Sequence, residues 1–326
     1  MTHIIIYMRP CVFDRTHERN EKVKIGGVKM AVTCTERYFD STCGTEKVRY
    51  LTWKDDSVET VGIYLIAHGV CEHIDRFHGV ADFLAERGFV VYGEDHLGHG
   101  KTAATIDKIG ELPEKADIHI VDDMHKLYGI AREEVPEGPV FLLGHSMGSF
   151  VAKIYSGKYP ETIDGVVYCG TGDFTNLLRY IKKPFGLLVK LIGRNRKVLV
   201  SNNMLTTSWL SRSKENRADY LKDELITKYY TPGLIEVLGF LAADCAGEKW
   251  AKTVPTDMPI LIVSGTQDIV GFCKIGVNVT EKALRETGHN DVKKIFYKSY
   301  RHEILRDYCR EDVYNDIYAW TTAKMK

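Results

Sequence analysis

Strand-like and helix-like stretches alternate along most of this 326-residue chain. That alternation predicts an α/β fold: a mostly parallel sheet flanked by helices, with a helical cap inserted between core strands. Three observations carry the prediction. Apolar runs of strand length recur, amphipathic stretches separate them, and one long, largely helical interruption falls between two of the runs.

The elements follow in order. Residues 48–53 are short and alternating. Residues 61–67 are continuous and apolar, as expected of a strand buried on both faces. Residues 74–87 place Phe77, Val80, Phe83 and Leu84 on one helical face, and Gly88 closes the helix as a C-terminal glycine should. Strand 89–92, a helix over about 118–134 and strand 140–143 come next. A second helix starts directly after Ser146 and leads to strand 165–169. Beyond the interruption come strand 259–264, helix 277–286, strand 292–297 and a final helix over about 310–323. The expected organisation is an N-terminal arm with a possible first strand (1–44), the first part of the core (45–172), a helical cap or lid (173–252) and the second part of the core (253–326).

Composition narrows the function classes. Lysine plus arginine equals aspartate plus glutamate, 44 against 44, so no global charge recommends nucleic acid as a partner. The apolar share of 44% is enough for a sizeable core. The eight cysteines are scattered without a C-x-x-C pair, which reads as reduced, buried thiols. The apolar patch at residues 4–8 is too short for a secretory core and is broken by Arg9 and Pro10. No run is long enough to cross a bilayer. Residues 1 to about 40 are polar and aperiodic, and Met30 is an alternative start. A cytoplasmic location is expected.

The most informative segment is Gly144-His145-Ser146-Met147-Gly148. It follows the apolar run Val140-Phe141-Leu142-Leu143 and opens a helix. A serine hydroxyl is a poor nucleophile until a tight strand-to-helix turn lifts it clear of the backbone beside a base. Gly144 and Gly148 flank a turn where a Cβ would strike the neighbouring elements. The turn also aims the Met147 amide at the space above Ser146, where the helix N-terminus adds its positive end.

A nucleophilic serine needs a base, and the base needs an orienting carboxylate. The candidates for the base are His289, in a polar turn before a strand, and His302, just after strand 292–297. Ligands in such sheets bind beyond the carboxyl ends of the strands, which selects His302. The same rule selects Asp268, which follows strand 259–264. An oxyanion needs two amide donors: Met147 supplies one, and Val70, in His68-Gly69-Val70-Cys71-Glu72-His73 after an early strand, supplies the other. His68, His73, His96 and His99 invite a metal reading, but they lie in glycine-containing loops and complete no ligand set. No metal and no cofactor is expected.

These segments resemble the α/β-hydrolase superfamily, and within it the monoacylglycerol lipase and lysophospholipase branch, also called serine-aminopeptidase-like hydrolases. The early loop of that branch reads His-Gly-x-Gly-Glu-His, and this chain has His68-Gly69-Val70-Cys71-Glu72-His73. Its next loop, Asp-x-x-Gly-His-Gly, matches Asp95-His96-Leu97-Gly98-His99-Gly100. Its elbow matches Gly144-His145-Ser146-Met147-Gly148 residue for residue. The one departure is Cys71, which stands where the family has glycine, so a positive φ there is costly.

The resemblance implies a serine hydrolase that cleaves carboxylic esters through an acyl-enzyme, with Ser146, Asp268 and His302 as the triad and His68, Gly69, Gly144 and Gly148 shaping the site. It implies small acyl esters such as monoacylglycerols or lysophospholipids. The cap joins an apolar cluster (Phe185, Leu187, Leu188, Val189, Leu191, Ile192) to Lys182, Lys183, Arg194, Arg196 and Lys197, which suits transient contact with a membrane or micelle surface. Two alternatives stand beside it. An aminopeptidase of the same fold would use Glu215, Asp219, Asp223 or Glu224 to hold a substrate ammonium. A low-turnover binding protein would keep the pocket without the chemistry. Oligomeric state is not legible.

Overall fold

The computed structural model describes residues 5–6, 32–173, 177–200 and 206–325. The expectations that fall on residues 1–4 and 7–31, Met30 among them, lie outside the described residues.

Side chains alternate across a strand, so a continuous apolar run must feed two cores at once. The strands β1 (Ile5–Ile6), β2 (Thr33–Asp40), β3 (Lys47–Lys54), β4 (Gly62–Ala67), β5 (Phe89–Glu94), β6 (Val140–His145) and β7 (Gly165–Cys169) precede the interruption. Within it lies a two-stranded ribbon of β8 (Leu199–Val200) and β9 (Tyr229–Tyr230), and β10 (Ile260–Gly265) and β11 (Val292–Tyr297) follow it. In the main sheet the order is β1-β2-β3-β5-β4-β6-β7-β10-β11. The β1-β2, β2-β3 and β3-β5 pairs are antiparallel and every later pair is parallel.

The alternation is regular. Ile63 and Leu65 of β4, Leu142 of β6 and Ile262 of β10 face one core, which α2 (Ala116–Glu134) and α3 (Met147–Lys158) cover. Tyr64 and Ile66, Phe141 and Leu143, and Leu261 and Val263 face the other, which α1 (His78–Ala85) and the C-terminal helix Arg310–Thr322 cover. Each of these apolar side chains contributes on the order of 1.5–3 kcal/mol by leaving water. Because the central strands are parallel, the loops at residues 68–73, Ser146, 170–173, 266–273 and 298–303 all emerge at one edge.

The interruption holds α4 (Leu177–Ile192), α5 (Lys214–Lys222), α6 (Pro232–Asp244) and α7 (Gly247–Ala251), with residues 174–176 and 201–205 outside the described set. Helix α4 packs on α6, and α6 packs on α3. Helix α8 (Ile275–Glu286) and the C-terminal helix, α9, complete the chain.

Two readings change. Residues 33–40, in the arm where the sequence marks a first strand only as possible, form strand β2, paired with β3 along its full length. Their half-buried side chains lack the apolar alternation of a core strand, which hid them. The helix expected at 74–87 opens with a 3₁₀ turn over Ile74–Phe77 before α1 begins. Gly88 does end that segment, at φ 90°, with a would-be Cβ only 2.4 Å from the Glu59 carbonyl oxygen.

Gly88→Ala should therefore cost more than about 2 kcal/mol. Gly129→Ala, inside α2 with open space around its would-be Cβ, should gain about 0.5–1 kcal/mol. Urea unfolding of both variants checks the pair, and a Gly88→Ala midpoint equal to wild type would contradict the packing described.

Candidate active site

Strand β6 ends at His145 and helix α3 begins at Met147, so Ser146 alone makes the turn. Its backbone sits at φ 55°, ψ −119°. The neighbours leave no slack. A Cβ on Gly144 would lie 2.2 Å from the Gly148 carbonyl oxygen, and one on Gly148 would lie 2.0 Å from that of Ala67. A Cβ on Gly69 would come within 2.9 Å of Ser146 Cβ. The Ser146 amide donates to the Cys169 carbonyl at 3.0 Å, fixing the turn to β7.

Beyond β10 and β11, the other two predicted residues meet. His302 Nδ1 lies 3.0 Å from both Asp268 carboxylate oxygens, and the pair is almost wholly buried. The Val270 amide donates to Asp268 Oδ1 at 2.9 Å, and Ser264 Oγ approaches Oδ2 at 3.3 Å. Burial pushes the Asp268 carboxyl up, but the charge and hydrogen bond of His302, with the Val270 amide, outweigh it and hold its pKa below the ordinary carboxylate value. Gly170, at φ 59°, backs the imidazole: a Cβ there would stand 3.1 Å from His302 Cε1. The rejected candidate His289 is engaged elsewhere, with Nε2 3.1 Å from the Val254 carbonyl oxygen and Nδ1 3.0 Å from that of Leu284.

Ser146 and His302 line one cavity of about 680 Å³ together with Val70. No hydrogen bond joins Ser146 Oγ to His302 among the described residues; nucleophile–base bonds of this kind often tighten only when the reacting complex assembles. The cavity walls are apolar for the most part, with Phe150, Leu210, Ile235, Leu238 and Ala242 among them. Trp209 lies over the imidazole, ring centroids 5.4 Å apart.

The early loop is tied down at His68, Gly69, Glu72 and His73. The Gly69 amide donates to Glu72 Oε1 at 2.7 Å and so is spent. The Val70 amide and the Met147 amide at the start of α3 have no protein acceptor among the described residues. Cys71 takes φ 66° in full burial, so the residue that replaces the family glycine still adopts the glycine conformation. His68 bridges two loops: Nδ1 lies 2.7 Å from the Gly69 carbonyl oxygen, and Nε2 accepts from the His96 amide at 2.9 Å. Burial and the neighbouring His96 and His99 hold its pKa well below the ordinary histidine value, so it acts as a neutral strut. Asp95 accepts from the Ile74 and Lys101 amides, both at 2.8 Å, and from Arg49 at 2.9 Å. Among the described residues, no group of three His, Cys, Asp or Glu is arranged to hold a metal ion.

Several functional side chains escaped the sequence reading. His145 lies within the matched elbow, but the motif assigns it no partner; its Nδ1 is 2.7 Å from Glu72 Oε1. Burial lowers the pKa of His145, but the Glu72 charge outweighs this and raises it. Glu303, next to His302, lines the cavity, pairs with Arg76 at 3.0 Å and accepts from Asn216 at 2.6 Å. Asp223, a candidate to hold a substrate ammonium in the aminopeptidase alternative, instead reaches His73 Nε2 at 2.7 Å. A glutamate three residues past Gly69 was the one local signal available for this cluster.

Comparison with known proteins follows the same lines. A model of the family described as serine aminopeptidase, S33, matches residues 59–308. A monoacylglycerol lipase of Mycolicibacterium smegmatis is 26% identical over 283 residues, 86% of this chain and 95% of that one. A human monoglyceride lipase is 25% identical, over 83% of this chain and 86% of its own. A thermostable carboxyl esterase from Bacillus coagulans, solved with glycerol, superposes with a TM-score of 0.82 at 28% identity, covering 90% of this chain and 99% of that one.

The His73 contacts yield a pH test. Burial lowers the pKa of His73, but Asp223 and Asp75 outweigh it and raise it to about 9. A folded-state pKa above the unfolded one means that the stabilisation is complete below about pH 6.5 and is lost as pH rises through the folded value. Wild type should lose on the order of 1–3 kcal/mol between pH 6.5 and 10 that His73→Gln does not lose. Urea unfolding at a series of pH values checks this, and parallel pH profiles for the two proteins would contradict it.

Proposed function

The chain belongs to the serine aminopeptidase S33 family and is a serine ester hydrolase, and we propose that it cleaves monoacylglycerol-type esters at Ser146 through an acyl-enzyme. One observation carries the assignment of roles: a serine at a strained turn and a carboxylate-bound imidazole open onto the same apolar cavity. Ser146 Oγ attacks the ester carbonyl while His302 Nε2 takes its proton. Asp268 accepts the Nδ1–H bond and stabilises the imidazolium. The amides of Val70 and Met147 receive the oxyanion, each worth roughly 100- to 1000-fold in rate. His302 then protonates the departing alcohol, and a water deprotonated by the same nitrogen releases the acid.

The cavity chemistry supports a long acyl chain with a neutral alcohol. The apolar walls suit the chain. Near Ser146 the lining turns polar at Glu72, Tyr220 and Glu303. Arg76, which pairs with both carboxylates, is itself buried. These hydrogen-bonding side chains suit a polyhydroxy alcohol. The cations beside them, Arg76 and His145, are already paired with the carboxylates and not open to a phosphate head group, which favours monoacylglycerols over lysophospholipids. The mycobacterial relative is named a monoacylglycerol lipase and the human one a monoglyceride lipase, which agrees with this choice.

Residues 173–252 serve as the lid in this assignment. Helix α4 turns Tyr180, Leu187 and Leu191 outward beside exposed Lys183, Arg196 and Lys197, an arrangement suited to brief contact with anionic lipid aggregates. Among the described residues, no helix is long and apolar enough to cross a membrane. The cysteines among the described residues are free thiols, which supports a reducing, cytoplasmic compartment.

Ser146→Ala should cut p-nitrophenyl ester turnover by about 10⁴-fold or more while leaving urea unfolding within about 1 kcal/mol of wild type. Retained turnover in a folded variant would remove Ser146 from the mechanism. On wild type, kcat/KM for a monoacylglycerol should exceed that for the lysophospholipid of the same acyl chain by about tenfold or more. The reverse preference would overturn the head-group assignment and leave the esterase assignment intact.

A further inference from the structure

The helix that follows Ser146 carries a lysine shut off from the surface. Lys153 lies seven residues beyond Ser146 on α3 and is fully buried. Its Nζ donates to the Gly172 carbonyl oxygen at 2.9 Å and to Thr280 Oγ1 of α8 at 2.9 Å. The remaining faces of the ammonium meet aromatic rings, Trp250 at 5.0 Å and Tyr168 at 5.9 Å. The Trp250 indole N–H in turn donates to the Lys153 carbonyl at 2.6 Å. Among the described residues, no carboxylate lies within ion-pair distance of Nζ. Burial lowers the pKa of this group, with Cys245 and Asp173 acting weakly the other way.

A methionine of similar length would fill that space without desolvating an amine. What methionine cannot do is hold two acceptors from different elements at fixed separation. Both acceptors belong to the half of the site opposite Ser146. The loop containing Gly172 starts at Gly170, whose backbone backs the His302 imidazole. A Cβ on Gly271, in the Asp268 loop, would lie 3.0 Å from the Thr171 carbonyl oxygen. One on Gly276, in α8, would lie 3.0 Å from the Asp173 amide and 3.1 Å from Gly172 Cα. The Asp268 loop and α8 thus rest in contact on the segment that Lys153 grips.

We propose that Lys153 is a positioning residue: its ammonium ties the nucleophile helix to the loop at residues 170–173 and to α8, and so sets the approach of Ser146 to the His302–Asp268 pair. It touches neither substrate nor reacting atoms. The proposal rests on the serine-hydrolase assignment, because it concerns the separation of those side chains.

The test measures kcat and KM per active site, with the sites counted by stoichiometric titration with a fluorophosphonate. Lys153→Met should lower kcat per titrated site by about tenfold or more, with KM within about twofold of wild type. Thr280→Val, which removes one acceptor and keeps the shape, should lower it by about threefold. A fall in kcat per titrated site in either variant, with KM held, supports the proposal. Wild-type kcat per site in both variants overturns it, as does the same result in Thr280→Val alone if Lys153→Met does not fold. Losses confined to the titrated fraction would assign Lys153 to stability and also overturn it. Wild type that fails to titrate would instead count against the serine assignment.

Discussion

At Ser146 an L-residue is held at φ 55°, ψ −119°, a conformation that costs on the order of 1–3 kcal/mol. It persists because Gly144, Gly148 and Gly69 let three backbone segments close around it with no room for a side chain. The same crowding frees the Met147 amide at the helix start and fastens the Ser146 amide to β7. It also presses the loop after β4 against the turn after β6. Strain at one residue thereby aligns a hydroxyl, two amide donors and a helix N-terminus.

Around this turn the buried titratable groups are arranged in three ways. On one side, Glu72, Arg76, Glu303 and His145 form a paired network in the cavity wall. Removing one member of such a network typically costs about 3–5 kcal/mol, because its partner is left charged and dry. On the other side, His68, His96 and His99 lie together in full burial, with pKa values lowered chiefly by desolvation, so they support the loop at residues 68–73 as neutral rings. Glu94 beside His96 is pushed well above the ordinary carboxylate value by burial. Lys153 is a third case, an amine held by dipoles and aromatic faces.

Much of this was legible in the chain. The strands buried on both faces announce themselves as continuous apolar runs, and a parallel sheet then puts every loop that carries chemistry at one edge. That rule alone separated His302 from His289. Strand β2 was legible only as a possible first strand, because a segment with half-buried Thr35, Glu36 and Arg37 and an exposed Tyr38 has no apolar alternation to see. Contacts such as His73 with Asp223, 150 residues apart, carry no local signal. The role of Asp223 became visible only once the interruption was seen folded over the loop at residues 68–73. Lys153 left a trace, a lysine inside the otherwise apolar stretch Phe150–Tyr155, but its acceptors come from distant segments.

The central claim is that Ser146 becomes acylated. Intact-protein mass spectrometry of acid-quenched enzyme, within the first turnovers on a slowly deacylating ester, tests it most directly. The account predicts a mass gain equal to one acyl group, mapping after digestion to the peptide that contains Ser146 and absent from Ser146→Ala. An acyl group on another residue, or full turnover by the Ser146→Ala protein under the same quench, would contradict it.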